Sequence, residues 1–341
     1  MNSNLSAFRK ENVLAIYELI KQSGKLTRTE ISKITSISLP TVTKIIDCFA
    51  ESGMIRISNC KTNGKVSKCV SLHPEKYCII FDFSSEKFVS HLVNLRGEIK
   101  ATHICENLTY GPDRMIDEKA DIHIKYTLEM VKINHKNYNC FGYGFLLPGH
   151  FDSVNMKVIS PRYPQINRIN FNKLIKDCKL DKTTVFCDIR ECYANSTDPL
   201  TSIGQSSLMI YFDLCDISSA LLVSGSSNTS LKYAPFGKAV IRDGHTLESI
   251  CREIADPHRV SPIFAEEIFE LSKKIPIENV FIVGNRYSPM PLFTKVVSEE
   301  FEIYRNSARK YLPDIRFDLD TSSHISEIAF KIRDMHYLGL S

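Results

Sequence analysis

Apolar residues recur at helical spacing in three successive segments near the start of the chain. Within each segment they are separated mainly by three or four residues, which places them on one face of a helix. The three sets are Val13, Ile16, Tyr17 and Ile20; Ile31 and Ile34; and Val42, Ile45, Ile46 and Phe49. This pattern predicts three helices packed around one small core.

Start and stop signals indicate where these helices begin and end. Thr27 followed by Glu30 is a capping-box pattern, which predicts that the short second helix begins there. Ser38 is a suitable N-cap for the third helix, and Pro40 lies in its first turn, where the missing amide proton costs nothing. Gly53 supplies the left-handed residue that ends the third helix.

A basic hairpin is predicted after the third helix. Residues 54–58 and 66–72 alternate as strands do, and Asn63-Gly64 between them is a strong signal for a tight turn. The order of helix, short capped helix, longer helix and basic hairpin is that of a winged helix-turn-helix. Such a domain places its third helix in the major groove of duplex DNA and its wing on the phosphates.

The distribution of charge agrees with a DNA-binding head. Residues 1–76 hold 12 basic and 6 acidic side chains, although the whole chain has a net charge of only +4. Thr41, Thr43 and Lys44 are expected near the bases. Arg28, Lys61 and Lys65 are expected on the phosphates. The predicted DNA-binding residues are Arg28, Ser38, Thr41, Thr43, Lys44, Lys61 and Lys65. The competing interpretation, a small structural core with a solvated lysine face, is disfavoured because caps, turn, wing and charge all agree.

From residue 77 the apolar pattern changes to the alternation typical of strands. A βββαβ unit is predicted, with strands near 78–83, 88–94, 99–105 and 140–147 and a helix near 114–133. A looser second copy has strands near 184–187, 207–214, 219–223, 280–283 and 315–319, helices near 262–274 and 291–305, and a closing helix near 325–338. We therefore predict a winged helix-turn-helix domain over residues 1–74 and an α/β domain of two halves over residues 75–341.

Four segments of the second domain resemble those of the ROK family of repressors, open reading frames and kinases. They are residues 79–86 (first phosphate loop), 142–152 (proline-glycine segment), 246–249 (end of the zinc loop) and 281–285 (adenosine-side glycines). With the winged helix in front, the resemblance extends over essentially the whole chain. It implies a duplicated actin-like, ribonuclease-H-like sugar-kinase fold and a regulator linked to carbohydrate metabolism.

The phosphate loops depart from the family pattern. The first loop has Ser84, Ser85 and Glu86 where the family has glycines whose amides approach phosphate. The second loop falls at about residues 215–219, which contain Asp216 and no glycine. Carboxylates in a half-buried cleft repel phosphate by on the order of several kcal/mol. We therefore expect the chain not to bind ATP.

The catalytic, sugar and metal positions differ as well. The general base of the family falls on Arg190, whose guanidinium does not accept a proton near neutral pH. A shift in alignment register would instead make Asp188 or Glu191 the base. Pro235 replaces the sugar-binding carboxylate and Lys238 replaces the zinc-binding imidazole. We expect no catalytic residue, no metal site and no cofactor.

The prediction is a transcriptional regulator, of repressor type, that binds a double-stranded DNA operator. Palindromic operators require two-fold symmetry, so a homodimer or higher homo-oligomer is expected. The resemblance implies a sugar or sugar phosphate as effector, and the new cations favour an anionic one. The candidate effector-cleft residues are Asp82, Asp152, Arg190 and Lys238. Two alternatives stay open: an active ATP-dependent sugar kinase with a DNA-binding head, and a regulator controlled by a protein partner.

Cysteine usage and hydropathy indicate the compartment. The 11 cysteines are scattered without a CxxC pair or a secretion signal, so we expect reduced thiols in the cytoplasm. No segment approaches the roughly 18 uninterrupted apolar residues of a membrane helix, so no membrane insertion is expected.

Overall fold

The structure is a computed structural model, and it describes most of the 341-residue chain. The residues outside the description are 1–9, 63–64, 85–86, 110–115, 136–138, 161–162, 198–205, 214–215, 224–229, 235, 237–239, 243, 255, 285–290, 308–311, 318–322 and 340–341. The chain forms two compact units, Met1–Asp188 together with Ile325–Ser341, and Ile189–His324. The boundary predicted at residue 74 lies within the first unit, between two strands, and stays a prediction.

The head is the three-helix and hairpin arrangement that the sequence predicts. Its elements are α1 (Lys10–Ser23), β1 (Leu26–Thr27), α2 (Arg28–Thr35), α3 (Leu39–Glu51), β2 (Ile55–Thr62) and β3 (Lys65–Leu72). The strands form one antiparallel sheet in the order β1-β3-β2. The predicted apolar stripes of α1 and α3 are fully buried, which explains why these segments fold as helices against each other.

One member of the predicted core is wrong. Ile31 is buried, whereas the side chain of Ile34 is 60% exposed. α2 ends one residue later, and Ser36 takes a left-handed conformation with φ 58° that turns the chain away. Ile34 therefore lies on the last turn of a short helix, where no other element of the head covers it.

The first lobe continues the first unit with a five-stranded sheet. Its elements are β4 (Lys76–Asp82), β5 (Lys87–Asn94), β6 (Ile99–Thr109), α4 (Ile116–Asn134), β7 (Asn139–Leu147), β8 (His150–Asp152), β9 (Lys157–Ile159), α5 (Phe171–Asp177) and β10 (Thr183–Asp188). The strand order is β10-β7-β4-β5-β6, with an antiparallel meander on one side and the parallel strands β7 and β10 on the other. Aromatic and aliphatic side chains, including Phe81, Phe145 and Phe171, form its core.

The strand predicted near 184–187 belongs to this first sheet, not to the second copy. β10 pairs in parallel with β7 over its whole length, from Thr183 beside Gly142 to Asp188 beside Leu147. The assignment to the second copy is therefore wrong. Its pairing partner lies about 40 residues earlier, and alternation of apolar residues does not specify a partner.

The second unit has its own sheet and core. Its elements are α6 (Ile189–Thr197), β11 (Ser206–Asp213), β12 (Asp216–Val223), β13 (Ser230–Ala234), β14 (Val240–Arg242), β15 (His245–Thr246), α7 (Leu247–Glu253), α8 (Pro257–Lys274), β16 (Asn279–Val283), α9 (Pro291–Ser307) and β17 (Asp314–Phe317). The sheet order is β13-β12-β11-β16-β17, and α8 and α9 contribute to the apolar cluster that covers it. This is again a three-strand meander followed by parallel strands, as in the first lobe.

The last helix, α10 (Ser323–Arg333), returns to the first unit. The prediction of a closing helix is confirmed, but its packing is on the first sheet. A Cβ placed on Gly142 of β7 would lie 2.4 Å from Cγ2 of Ile332, so glycine lets helix and strand approach closely. Gly97, in the turn between β5 and β6, has φ 84° and contacts Phe330 in the same way. None of the described helices has the length and apolar character that a bilayer crossing requires.

One pair of cysteines differs from the expectation of reduced thiols. Cys60 on β2 and Cys69 on β3 form a disulfide across the hairpin, with Cα atoms 5.9 Å apart. Their spacing matches no motif, and the pairing follows from the strand register, which sets Cys60 beside Ser67 and Cys69 beside Ser58. The other eight described cysteines form no disulfide.

Candidate nucleic-acid interface

The second helix of the head begins with the predicted capping box. The Thr27 amide donates to Oε2 of Glu30 at 2.7 Å, and the Glu30 amide donates to Oγ1 of Thr27 at 3.2 Å. The bond from the Thr27 amide, and a second one from the Thr27 hydroxyl to Oε2 at 2.8 Å, lower the pKa of Glu30. The box fixes the start of α2, whose first turn supplies Arg28 and Thr29 to the surface beside α3.

A short turn then orients α3. The hydroxyl of Ser32 donates to the carbonyl of Ile37 at 2.6 Å, which ties the end of α2 to the turn. Ser38 occupies the N-cap position, but its hydroxyl bonds that of Thr41 at 2.8 Å and makes no cap hydrogen bond to the backbone. The capping role predicted for the Ser38 side chain is therefore wrong, because Thr41 competes for its hydroxyl.

The buried face of α3 determines what its other face offers. Val42, Ile45, Ile46 and Phe49 have no exposed surface, so the opposite face of the helix points outward. Lys44 is exposed and Thr41 and Thr43 are partly exposed on that side. The N-terminal half of α3 therefore presents a cation and two hydroxyls, which are groups that hydrogen-bond to base edges.

Arg28 is not a free cation. Its Nη2 lies 2.6 Å from Oδ1 of Asp47 on α3, with both side chains partly exposed. An exposed pair of this kind contributes little to stability. Its geometric effect is to tie the start of α2 to the middle of α3, so Arg28 would have to leave Asp47 to contact a phosphate with its Nη2.

A groove of about 490 Å³ lies between the start of α3 and the wing. Arg28 and Thr43, both predicted DNA-binding residues, line it together. Leu39, 42% exposed at the first position of α3, and Lys68, exposed on β3, also line it and were missed by the sequence analysis. An exposed leucine at a helix start is a detectable signal, because apolar side chains contact the thymine methyl group in the major groove.

The wing is present, but its tip lies largely outside the described residues. Lys61 is exposed near the end of β2, as predicted. Asn63 and Gly64 are outside the description, and Lys65 is placed only by its backbone at the start of β3. The flanking strands pair up to Thr62 beside Lys65, which is the register of a tight hairpin.

The head is attached to the first lobe by buried polar contacts. The phenol of Tyr17 on α1 donates to the carbonyl of Leu95 at 2.6 Å, and burial raises the pKa of Tyr17 to about 12. Nη1 of Arg96 donates to the carbonyl of Lys21 at 2.7 Å. From α10, the guanidinium of Arg333 lies over the Tyr17 ring, 4.0 Å from its centroid. Two parts of the lobe, the β5–β6 turn and α10, therefore hold α1.

At the first phosphate-loop position, the side chain of Asp82 bonds to a residue of its own loop. Asp82, at the end of β4, is buried, and its Oδ1 accepts hydrogen bonds from the amide of Ser84 at 2.8 Å and from its hydroxyl at 2.5 Å. Nε2 of His91 lies 4.0 Å from its other oxygen, and burial lowers the pKa of His91. The Ser84 amide, which the resemblance places at a phosphate-loop position, thus donates to a carboxylate of its own loop. Ser85 and Glu86 lie outside the described residues.

The other candidate effector residues lie in separate parts of the chain. Asp152 caps its own turn, accepting from the amides of Val154 at 2.9 Å and Asn155 at 3.2 Å. Arg190 lies in the first turn of α6, in the second unit, and Lys238 is outside the described residues. Asp188 is buried at the end of β10. Among the described side chains, no three His, Cys, Asp or Glu residues cluster as metal ligands would.

These observations define a class of protein: a winged helix-turn-helix DNA-binding domain followed by an actin-like α/β fold. A family model described as winged helix-turn-helix DNA-binding matches residues 9–56. No curated protein sequence matches the chain.

Solved structures extend the comparison to the rest of the chain. A ROK family transcriptional regulator, described as a homolog of the E. coli MLC protein, is 14% identical with a TM-score of 0.61, over 96% of this chain and 98% of that one. A ROK family glucokinase from Streptomyces griseus, in complex with glucose and AMPPNP, is 11% identical with a TM-score of 0.54, over 76% and 99%. A ROK family protein from Streptococcus pneumoniae TIGR4, in complex with sucrose, is 11% identical with a TM-score of 0.52, over 76% and 98%. The chain has the fold of ROK proteins, which confirms the resemblance at that level.

Proposed function

We propose that this chain is a cytoplasmic, sequence-specific transcriptional regulator of the ROK type. The observation that carries the proposal is the division of α3 into a fully buried apolar face and an outer face, on which Lys44 is exposed and Thr43 lines a groove. Burial of one face fixes the orientation of α3, so that its other face can enter the major groove. Binding to a palindromic operator requires two such heads, so we propose a homodimer or higher homo-oligomer that acts as a repressor.

The kinase-like part is proposed to have lost phosphoryl transfer. Asp82 occupies the donors of Ser84, and Arg190 stands where a proton acceptor is required. A domain without chemistry can still hold the heads at a fixed distance and bind an effector. A sugar or sugar phosphate is the effector class that we propose, since ROK proteins of this fold have been solved with sucrose and with glucose.

The test of DNA binding is selection of bound duplexes from a random pool by the full chain at two salt concentrations. We expect a dyad-symmetric motif, whose affinity falls steeply as salt rises. Lys44→Ala should weaken binding, and Thr43→Ala should relax the preference at one position of each half-site by about 1–3 kcal/mol. Lys295→Ala, an exposed lysine of the second unit, is the matched control and should change nothing. Binding with no preferred sequence would refute the proposal.

The test of lost catalysis is consumption of ATP by the purified chain with a panel of hexoses. We expect no turnover above the background without sugar. Sugar-dependent turnover that Asp188→Asn removes would overturn this part of the proposal and make Asp188 the general base.

A further inference from the structure

A second cavity lies on the other side of the wing, at the junction of the head with the first lobe. This junction cavity has a volume of about 1000 Å³, and its walls come from the α1–α2 connection, from β2 and β3, and from the β5–β6 turn. It shares no lining residue with the groove beside α3. Ile57 lines that groove, whereas Arg56 and Ser58 line the junction cavity, as the alternation of side chains along a strand requires.

The charges around the junction cavity are unbalanced. Lys25, Arg56, Arg96 and Lys100 line it, and Glu98 is the single carboxylate among its lining residues. Glu98 is already engaged, because its Oε2 accepts from Lys100 at 2.6 Å and from Nδ2 of Asn94 at 3.0 Å. The walls thus contain three more cations than the cavity's own carboxylate can balance.

Two of these cations have no counter-ion. Among the described residues, the side chains of Lys25 and Arg56 make no hydrogen bond or ion pair, although both are exposed to the cavity. Arg96 is held in place by its bond to the Lys21 carbonyl, which uses one nitrogen of its guanidinium. The pKa of His73, in the same wall, is lowered chiefly by burial and then by the positive charges of Lys76 and Arg56, against the opposing charge of Glu75. The field in the cavity is therefore positive.

We propose that the junction cavity binds a small phosphorylated metabolite, with Arg56 and Arg96 as the guanidinium partners of its phosphate and Lys25 as a further positive charge. A guanidinium presents paired N–H donors that match two phosphate oxygens, and a lysine adds a point charge. The volume is at the upper end of the range for small-molecule sites, so it accommodates more than a bare phosphate.

The position of the site gives it a regulatory consequence, which rests on the proposed function. Lys25 and Arg56 belong to the DNA-binding head, whereas Arg96 and Lys100 belong to the first lobe. An anion held by both sides favours the arrangement in which these cations lie close together. It changes DNA affinity to the extent that it binds that arrangement better than the alternatives.

The experiment is calorimetric titration of the full chain, without DNA, with pyrophosphate and with glucose 6-phosphate, and with glucose as the neutral control. We expect both anions to bind and glucose not to bind at this site. Arg56→Gln and Lys25→Gln should each raise the dissociation constant at least tenfold. Lys157→Gln, which removes an exposed cation of β9 outside the cavity, should leave it unchanged. Glu98→Gln should tighten binding several-fold, because it removes the one negative charge and releases Lys100.

The outcomes separate this inference from the proposed function. No binding of either anion, or equal weakening by Arg56→Gln and Lys157→Gln, would overturn the junction site. If the free anions do not bind but Arg56→Gln weakens duplex binding and reduces its salt dependence, the cations contact the DNA backbone and the inference is wrong. If phosphate binding follows the variants as expected while no duplex binds, the junction site stands and the proposed function fails.

Discussion

Replacing Arg333 by Met should loosen the head from the first lobe. The Arg333 side chain is 5% exposed and lies 4.0 Å from the centroid of the Tyr17 ring. Its Nε donates to Oδ1 of Asp334 at 2.6 Å, and Nη1 lies 3.9 Å from Glu18 on α1. Met keeps the apolar stem but leaves Asp334 without its cation.

The size of the effect follows from this burial. Removing one partner of a fully buried ion pair costs about 3–5 kcal/mol, because the other charge stays uncompensated. Asp334 retains 28% of its side-chain exposure, so water relieves part of that cost. Loss of the cation–π contact adds about 1 kcal/mol. We therefore expect about 2–3 kcal/mol, which corresponds to about 30- to 150-fold in an equilibrium constant.

Hydrogen exchange of the full chain measures the free energy of opening of α1 itself, because amides can exchange through local opening of the segment that contains them. Amides of α1 should exchange about 30- to 150-fold faster in Arg333→Met. Arg305→Met, which removes a cation paired with Glu302 and Asp314 on the surface of the second unit, is the matched control and should leave α1 unchanged. An increase of less than threefold in Arg333→Met would refute the assignment of Arg333 as a clamp.

The pH dependence gives a second check on the same residue. Burial raises the pKa of Asp334, and the charge of Arg333 opposes that rise. Without Arg333 the pKa should rise further, so the folded state takes up a proton more readily than the unfolded chain. The defect of Arg333→Met should then shrink as pH falls, and Arg333→Met with Asp334→Asn should recover part of the lost protection at neutral pH. A defect that does not change with pH would contradict this origin.

Three further predictions concern single interactions of the first unit. Reduction of the Cys60–Cys69 disulfide, which closes a loop with a sequence separation of 9, should lower the stability of the wing by up to about 2.5 kcal/mol, because the unfolded loop gains entropy. Reductant should then speed amide exchange of β2 and β3 in the native chain but not in Cys60→Ser. Burial lowers the pKa of His123 from 6.5 to about 4, so its neutral form is favoured and up to about 3 kcal/mol of stability is lost as pH falls through that range. His123→Leu should remove this acid-side loss in thermal melts followed by circular dichroism, because leucine has no group that takes up a proton. Thr27→Ala should cost α2 about 1 kcal/mol in amide exchange, whereas Thr29→Ala should cost less.

The head could be predicted from the sequence because its signals are local. Apolar stripes, a capping box and a hairpin turn each involve residues within a few positions, and all of them favour the same structure. The exception, Ile34, shows the limit of this reasoning. Helical spacing predicts which face an apolar residue shares, but burial also requires another element over that face.

Long-range partners could not be predicted in the same way. The pattern of β10 is that of a strand in either half, and only its pairing with β7 assigns it to the first lobe. The Cys60–Cys69 disulfide likewise depends on strand register. The junction cavity joins Lys25, Arg56 and Arg96 from three separate stretches of chain, so no motif could have indicated it.

The course of the chain indicates how effector binding can act on the head through α10. The second unit ends at His324, in the first turn of α10, and the rest of α10 packs on the first sheet. The same helix carries Phe330 and Arg333, which contact Lys21 and Tyr17 of α1. A ligand that favours one position of α10 over another must therefore change the support of the head, in proportion to its difference in affinity for the two positions. Because Arg333→Met removes that contact, it should reduce any effect of such a ligand on DNA affinity while leaving the ligand's own binding intact.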